Sequence, residues 1–186
     1  WGTPSDFEEY LYWSNTFKAI LKERDTPKHK GSLLFPMAGK GSRFKENGYM
    51  LPKPLIPVSG KHMAVQALMD LPQTEYQKFI LRKEMVNLNE IIEALKNNAS
   101  KPLFSFLEHM SDGQASTCIQ GVDGLDIDKP VTIAACDNGM IYDSKNFDSL
   151  FCLDNVDVIV WAARGYPGAI RSPEMYGWID TDNNGN

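Results

Sequence analysis

Apolar residues are distributed along the chain in two alternating ways. Short continuous runs at 33–35, 76–81, 103–107, 131–136 and 156–163 predict buried strands. The runs carry Leu33-Leu34-Phe35, Phe79-Ile80-Leu81 and Thr132-Ile133-Ala134-Ala135-Cys136 among others. Between them the apolar positions take helical spacing. Met63, Val65, Ala67 and Leu68 predict a helix over 61–70. Leu88, Ile91, Ile92 and Leu95 follow i, i+3, i+4, i+7 and predict another over 87–97, with Asn87 and Glu90 placed to cap it. A loop at 112–117 enters a short helix, and 147–153 reads as one more. Residues 55–58 read as a short strand. Before all of these, Phe7, Tyr10, Leu11, Phe17, Ile20 and Leu21 predict a helix over 6–22, with Ser5 as its cap and Glu8 reaching back. Residues 23–31 are polar, contain Pro27 and Gly31, and read as a linker.

Strands alternating with helices give an α/β domain. Its sheet is mostly parallel, flanked by helices and joined by right-handed crossovers. The expected division is 1–31 as helix and linker and 32–186 as the domain proper. In such a sheet, ligands bind outside the C-terminal ends of the strands. Three polar groups fall there: a glycine loop after the first strand, Asp112 to Gln114 after the third, and Asp137 after the fourth.

Composition narrows the classes of function. The chain has 186 residues, 42% hydrophobic and 23% charged, which suits one globular domain. A net charge of −5 argues against a nucleic-acid partner, so any anion site has to be local. Cys118, Cys136 and Cys152 are widely spaced and form no C-x-x-C, which favours reduced thiols and a cytoplasmic setting. No apolar run is long enough for a membrane span. The first residues lack a basic start and an apolar core, so no signal peptide is expected. His29, His62 and His109 lack metal-ligand spacing and read as surface residues.

The local anion site is readable. Ala38-Gly39-Lys40-Gly41-Ser42-Arg43-Phe44 follows the first strand, and its glycines let backbone amides close on an anion. Arg43 can hold phosphate oxygens bidentately. Ten residues on, Lys53 stands between Pro52 and Pro54, which stiffen its segment. A Rossmann fingerprint fails, because Phe44 stands where its third glycine belongs. A Walker A loop fails as well, because Gly60-Lys61 is followed by His62. Asp137 closes the fourth strand, where it either caps a turn or ligates Mg²⁺. Gln114 carries both donor and acceptors and could read a base edge, or it simply starts a helix. Tyr176-Gly177 allows close backbone approach to a ligand, or belongs to a hairpin leading into Asp182-Asn183-Asn184-Gly185.

The whole pattern, a strand, G-x-G-S-R-F, then P-K-P-L-I-P-V-x-G-K, resembles the signature of the sugar-phosphate nucleotidylyltransferases. Glucose-1-phosphate thymidylyl- and cytidylyltransferases and mannose-1-phosphate guanylyltransferases are of this type. The resemblance implies a Rossmann-like nucleotide-diphospho-sugar transferase (GT-A-like) fold. It implies a Mg²⁺-dependent reaction of a nucleoside triphosphate with a sugar 1-phosphate, releasing pyrophosphate and serving glycan precursor synthesis. A homo-oligomer is compatible with it. Arg43, Lys53 and Asp137 would be catalytic, with Asp137 the metal ligand. Ala38, Gly39, Lys40, Gly41, Ser42, Gly113 and Gln114 would bind nucleotide, and Tyr176 and Gly177 the sugar. Family members supply a second metal-binding Asp and a Glu-Lys-Pro segment further on than Asn186. Trp1 to Asp6 resembles the G-T-P-x-D segment that follows the family's last strand. Both points lead to the expectation that the chain is a piece of a longer polypeptide. Two other classes stay open. One is a nucleotide-sugar-dependent glycosyltransferase, disfavoured because Gly139 breaks a D-x-D pattern. The other is a non-catalytic nucleotide-binding module.

Overall fold

The computed structural model of the chain describes residues 3–21, 27–126 and 128–182. They belong to two compact units, one of Asp25–Cys152 and one combining Trp1–Arg24 with Leu153–Asn186.

The first unit is built on a four-stranded sheet. Its strands are β1 (His29–Pro36), β4 (Thr74–Arg82), β5 (Pro102–Leu107) and β6 (Val131–Ile133). Their order is β5-β4-β1-β6, and every neighbouring pair is parallel. A two-stranded antiparallel ribbon, β2 (Pro57–Val58) with β3 (Lys61–His62), stands apart from it. Successive residues of β1 serve opposite faces of the sheet, as strand geometry requires. Leu33 and Phe35 join Phe79 and Leu81 under α3 (Met63–Met69) and α4 (Leu88–Lys96). Leu34 and Ile80 join Leu107 and Cys118 of α5 (Gln114–Gly121) on the other face. Burial on both faces explains why these strands are continuously apolar rather than alternating. Phe35 and Phe79 are wholly buried and meet edge to face at 5.6 Å.

Chain order sets the position of the site. The chain builds β1, then β4 and β5 on one side, and returns to lay β6 on the other side of β1. The connection therefore reverses at β1, and the crevice of such a sheet opens at that reversal, beyond the strands' C-terminal ends.

Several expectations need correction. Residues 55–58 are split between a 3-10 turn (Lys53–Leu55) and β2. β1 starts at His29, inside the expected linker, with an irregular register before Ser32. His29 is buried rather than superficial. Its ring lies 3.2 Å from the Asp148 carboxylate and 3.3 Å from the Tyr142 hydroxyl, so its polar atoms are satisfied inside. Asn87 has a left-handed backbone (φ 57°) and makes no side-chain cap bond; its side-chain amide donates to the Glu90 carboxylate instead, at 2.8 Å. The stretch 147–153 is a 3-10 helix, Phe147–Cys152.

The second unit holds α1 (Pro4–Leu21), the short α6 (Pro167–Arg171) and a 3-10 turn, Pro173–Met175. The cap of α1 sits two residues earlier than expected. Thr3 Oγ1 accepts from the Asp6 amide, and the Asp6 carboxylate accepts from the Thr3 amide. Tyr12 and Trp13 face Tyr166 at 6.1 and 6.2 Å, and Arg171 donates to Glu9 at 3.0 Å. These contacts group 153–182 with α1, a division different from one at residue 31. The expected strand at 156–163 is absent: these residues have no ladder partner among the described residues. The proposed turn at 182–185 lies mostly outside the described residues.

Candidate active site

At the C-terminal edge of the sheet, β1 ends at Pro36, and the amide of Met37 donates to Ile80 at 2.8 Å. Ala38 is buried, and its carbonyl accepts from Arg82 Nε at 2.8 Å. The loop is thus anchored to both central strands before Gly39 releases it toward solvent. Gly41 has φ 62°, a left-handed conformation suited to glycine. A Cβ on Gly41 would also come within 3.2 Å of Lys53 Cβ. The glycine therefore serves both the turn and the close passage of the lysine segment. The helix α2 (Ser42–Glu46) follows and buries none of its residues.

Lys53 opens the Lys53–Leu55 turn, with Pro52 before it and the buried Pro54 and Leu55 after it. Main-chain bonds from Leu55 to Pro52 (2.9 Å) and from Ile56 to Lys53 (3.3 Å) hold the segment. The stiffness expected of Pro-Lys-Pro thus has a visible origin. Lys53 Nζ donates to Asp137 Oδ2 at 2.5 Å, with both side chains a quarter to a third exposed.

Asp137 does not close β6 directly. The strand stops at Ile133, the Ala134 amide still donates to Leu34 at 3.1 Å, and Ala135 and Cys136 then leave the sheet and line the cleft. The Cys136 thiol is pushed up to about 11, first by burial and then by the Asp137 charge beside it. At neutral pH it stays a thiol and is a poor nucleophile.

The third wall begins at Gly113 (φ 156°, ψ −178°), in a region of backbone space kept almost entirely for glycine. Its carbonyl accepts from the hydroxyls of Ser111 (3.2 Å) and buried Thr117 (3.0 Å), which lie 2.5 Å from each other. Gln114 starts α5 and donates from Nε2 to the Ala134 carbonyl at 3.4 Å, joining the wall to the β6 loop.

These segments enclose a cleft of about 290 Å³. It brings together Ala38, Gly39, Gly41, Lys53, Gly113, Gln114 and Asp137 of the sequence-derived set. A second recess shares Gly41, Lys53 and Asp137 and adds Ser42 and Arg43. Lys40 lines a third, with Arg82. Tyr176 and Gly177 belong to the other unit, so the cleft is built without them. There the Tyr176 ring packs edge to face on Tyr166 at 5.6 Å, and the space beside Gly177 is open.

Sequence reading missed three contributors. Arg82 carried a signal, a cation ending the buried run Phe79-Ile80-Leu81 at the strand's functional end. Ser111 and Thr117 carried only the weak signal of hydroxyls flanking a glycine turn.

Few donors in the cleft suit a divalent metal. Among the described residues, Asp137 is the one carboxylate lining the first two recesses, and no three His, Cys, Asp or Glu cluster to hold an ion. Magnesium uses one or two carboxylates and completes its shell with phosphate and water. The donors therefore fit an ion shared with a bound phosphate and do not fit an all-protein cage.

No known family pattern matches the chain, and no curated protein matches it. Solved structures do. One is a nucleoside-diphosphate-sugar pyrophosphorylase from Vibrio cholerae RC9, 22% identical, with a TM-score of 0.50 over 61% of this chain and 52% of that one. Others are a nucleotidyl transferase from Methanothermobacter (21%, TM-score 0.45, 58% and 50%) and an inositol-1-phosphate CTP transferase from T. maritima (14%, 0.46, 57% and 43%). The chain spans about half the length of these structures. No helix among the described residues is long and apolar enough to cross a membrane. At such identities the likeness is one of fold: a parallel α/β sheet of the Rossmann-like kind found in the Vibrio cholerae pyrophosphorylase.

Proposed function

We propose that the chain carries the nucleotide-binding core of a nucleotidyltransferase that joins a nucleoside triphosphate to a sugar 1-phosphate or similar phosphorylated acceptor. The observation that carries this reading is the meeting of three separate segments in one crevice: the Gly39–Gly41 loop, Lys53 and Asp137. Around this crevice Lys40 and Arg43 have no ion-pair partner among the described residues, in a chain of net charge −5. Unpaired cations beside a glycine loop suit a polyanion.

The reaction then needs no protein nucleophile. An oxygen of the acceptor phosphate attacks the α-phosphorus, the bond to the β-phosphate breaks, and pyrophosphate leaves. The attacking phosphomonoester is already largely dianionic near neutral pH, since its second pKa is about 6. What remains is positioning and charge neutralisation. The amides at Gly39 and Gly41, with Arg43, hold the leaving phosphates. Lys53 exchanges Asp137 for the α- or acceptor phosphate. Gln114 faces the base. A Mg²⁺ ion bound through Asp137 and phosphate oxygens would neutralise developing charge. Supply of glycan precursors is the biosynthetic role that fits this chemistry.

The lone carboxylate favours a second reading, a module that binds nucleotide without turnover. One assay separates the two: pyrophosphate release with each common nucleoside triphosphate, Mg²⁺ and a panel of sugar 1-phosphates, beside thermal shifts with the same triphosphates. Release with one pair supports transfer. Thermal stabilisation without release supports the module. Neither effect with any triphosphate sinks both.

A further inference from the structure

Phe44 has an unusual placement for a large aromatic residue. It belongs to α2, which buries nothing, and it joins neither core cluster on the sheet. Among the described residues its ring has one aromatic and one cationic partner. Tyr49 meets it edge to face at 5.3 Å, and Lys53 Nζ lies 5.5 Å from its centroid. The pair of rings is fixed by the backbone, since the Tyr49 amide donates to the Phe44 carbonyl at 3.0 Å. The turn between them is tied by Asn47, whose side-chain amide donates to the Arg43 carbonyl at 2.7 Å. Phe44, Tyr49, Arg43, Lys53 and Asp137 all line the same recess.

We infer that Phe44, braced by Tyr49, is a positioning residue for Lys53. This inference rests on the nucleotidyltransferase reading above. Lys53 is held on one side by the Asp137 carboxylate and on another by the face of an aromatic ring. The ring's quadrupole attracts a cation without offering an acceptor that competes for its N–H groups. When Lys53 turns from Asp137 to a phosphate, the ring keeps the ammonium in the recess while leaving its donors free. An aliphatic residue of similar size would fill the space but supply no such attraction.

The test is a double-mutant cycle on binding of whichever of ATP, GTP, CTP, UTP and dTTP gives the largest thermal shift with Mg²⁺. Phe44→Leu is expected to weaken binding about threefold to tenfold with Lys53 present and to have no effect in a Lys53→Met background. Phe44→Tyr keeps the ring face and is expected to bind as the unaltered chain does. An equal loss in both backgrounds, or no loss in either, overturns the inference while the functional reading stands. Failure of the unaltered chain to bind any triphosphate removes that reading instead. The ring seat has its own check without nucleotide. After reductive ¹³C-methylation, the Lys53 methyl resonance, assigned by its loss in Lys53→Arg, is expected to move in Phe44→Leu as the ring current disappears. An unmoved resonance overturns the seat.

Discussion

Two apolar runs of similar composition meet opposite fates in this molecule. Phe79-Ile80-Leu81 lies at the centre of the sheet with no exposed surface. Val156, Val158, Ile159, Val160 and Trp161 are between 38% and 77% exposed and form no strand. Intrinsic preference does not separate them, since β-branched and aromatic residues dominate both. What separates them is the neighbour. β4 pairs with β1 on one side and β5 on the other, and helices cover both faces. Residues 156–163 have no such ladder among the described residues. An apolar run states that a segment favours burial; only a partner makes it a strand.

The sharpest way to break that contrast is mutation in both runs. Phe79→Ala should cost about 3–5 kcal/mol, the usual range for removing a buried aromatic side chain. Val158→Ser should stay within about 0.5 kcal/mol, as exposed substitutions do. Urea denaturation measures both. A comparable loss from Val158→Ser would show that this residue is covered in solution.

The second test contrasts function with stability inside the packed unit. Lys53→Ala and Arg43→Ala should each lower turnover about 10²-fold or more, the usual cost of losing a charge clamp. Asp137→Asn should abolish metal-dependent turnover. Melting temperatures should barely move, because the partly exposed Lys53–Asp137 pair contributes at most about 1 kcal/mol once solvent screening is counted. Unfolding of Asp137→Asn with undiminished turnover per folded molecule would make Asp137 a structural cap.

The third compares two glycines of one loop. Gly41→Ala meets both a left-handed backbone and Lys53 Cβ at 3.2 Å, and should cost about 1–2 kcal/mol. Gly39 has no heavy atom within 4 Å of an added Cβ, so Gly39→Ala should fold normally and lose triphosphate affinity instead. Calorimetric melting and binding titration separate the outcomes. Unchanged affinity in Gly39→Ala would remove that position from the phosphate site.

Much of the first unit was legible in the sequence, and the reasons are local. Leu88, Ile91, Ile92 and Leu95 announced α4 because helical spacing and one-sided burial are the same fact. The glycine loop and Pro-Lys-Pro were legible because glycine and proline restrict the backbone wherever they stand. His29 was not, because burial of a histidine depends on Asp148 and Tyr142, more than a hundred residues away. The same holds for the pairing of Lys53 with Asp137, 84 residues apart. Residue types pointed to each as a phosphate or metal group, but their 2.5 Å contact depends on the return of the chain to β6.

The smallest expected effect uses the three thiols of the packed unit as probes of its edge. Cys118 is buried in the core on the α5 face, and burial pushes its thiol up. Cys136 lines the cleft with a thiol pushed up to about 11. Cys152 is exposed at the last residue of the unit. Alkylation depends on thiolate and access, so iodoacetamide at pH 8 should modify Cys152 first and Cys136 and Cys118 slowly. The sign of the pH dependence follows from the raised values. A thiol held protonated in the fold but free to ionise in the open chain contributes stability that is present at neutral pH. That contribution fades as pH rises from about 9, the ordinary thiol value, toward about 11. Raising the pH through this window should therefore speed labelling at Cys136 and modestly lower the melting temperature. Bound triphosphate should slow Cys136 further, because it covers the cleft wall. Mass-spectrometric labelling at each cysteine reads all of this, and modification of Cys136 as fast as Cys152 at pH 8 would show that the cleft wall is open like the unit's edge.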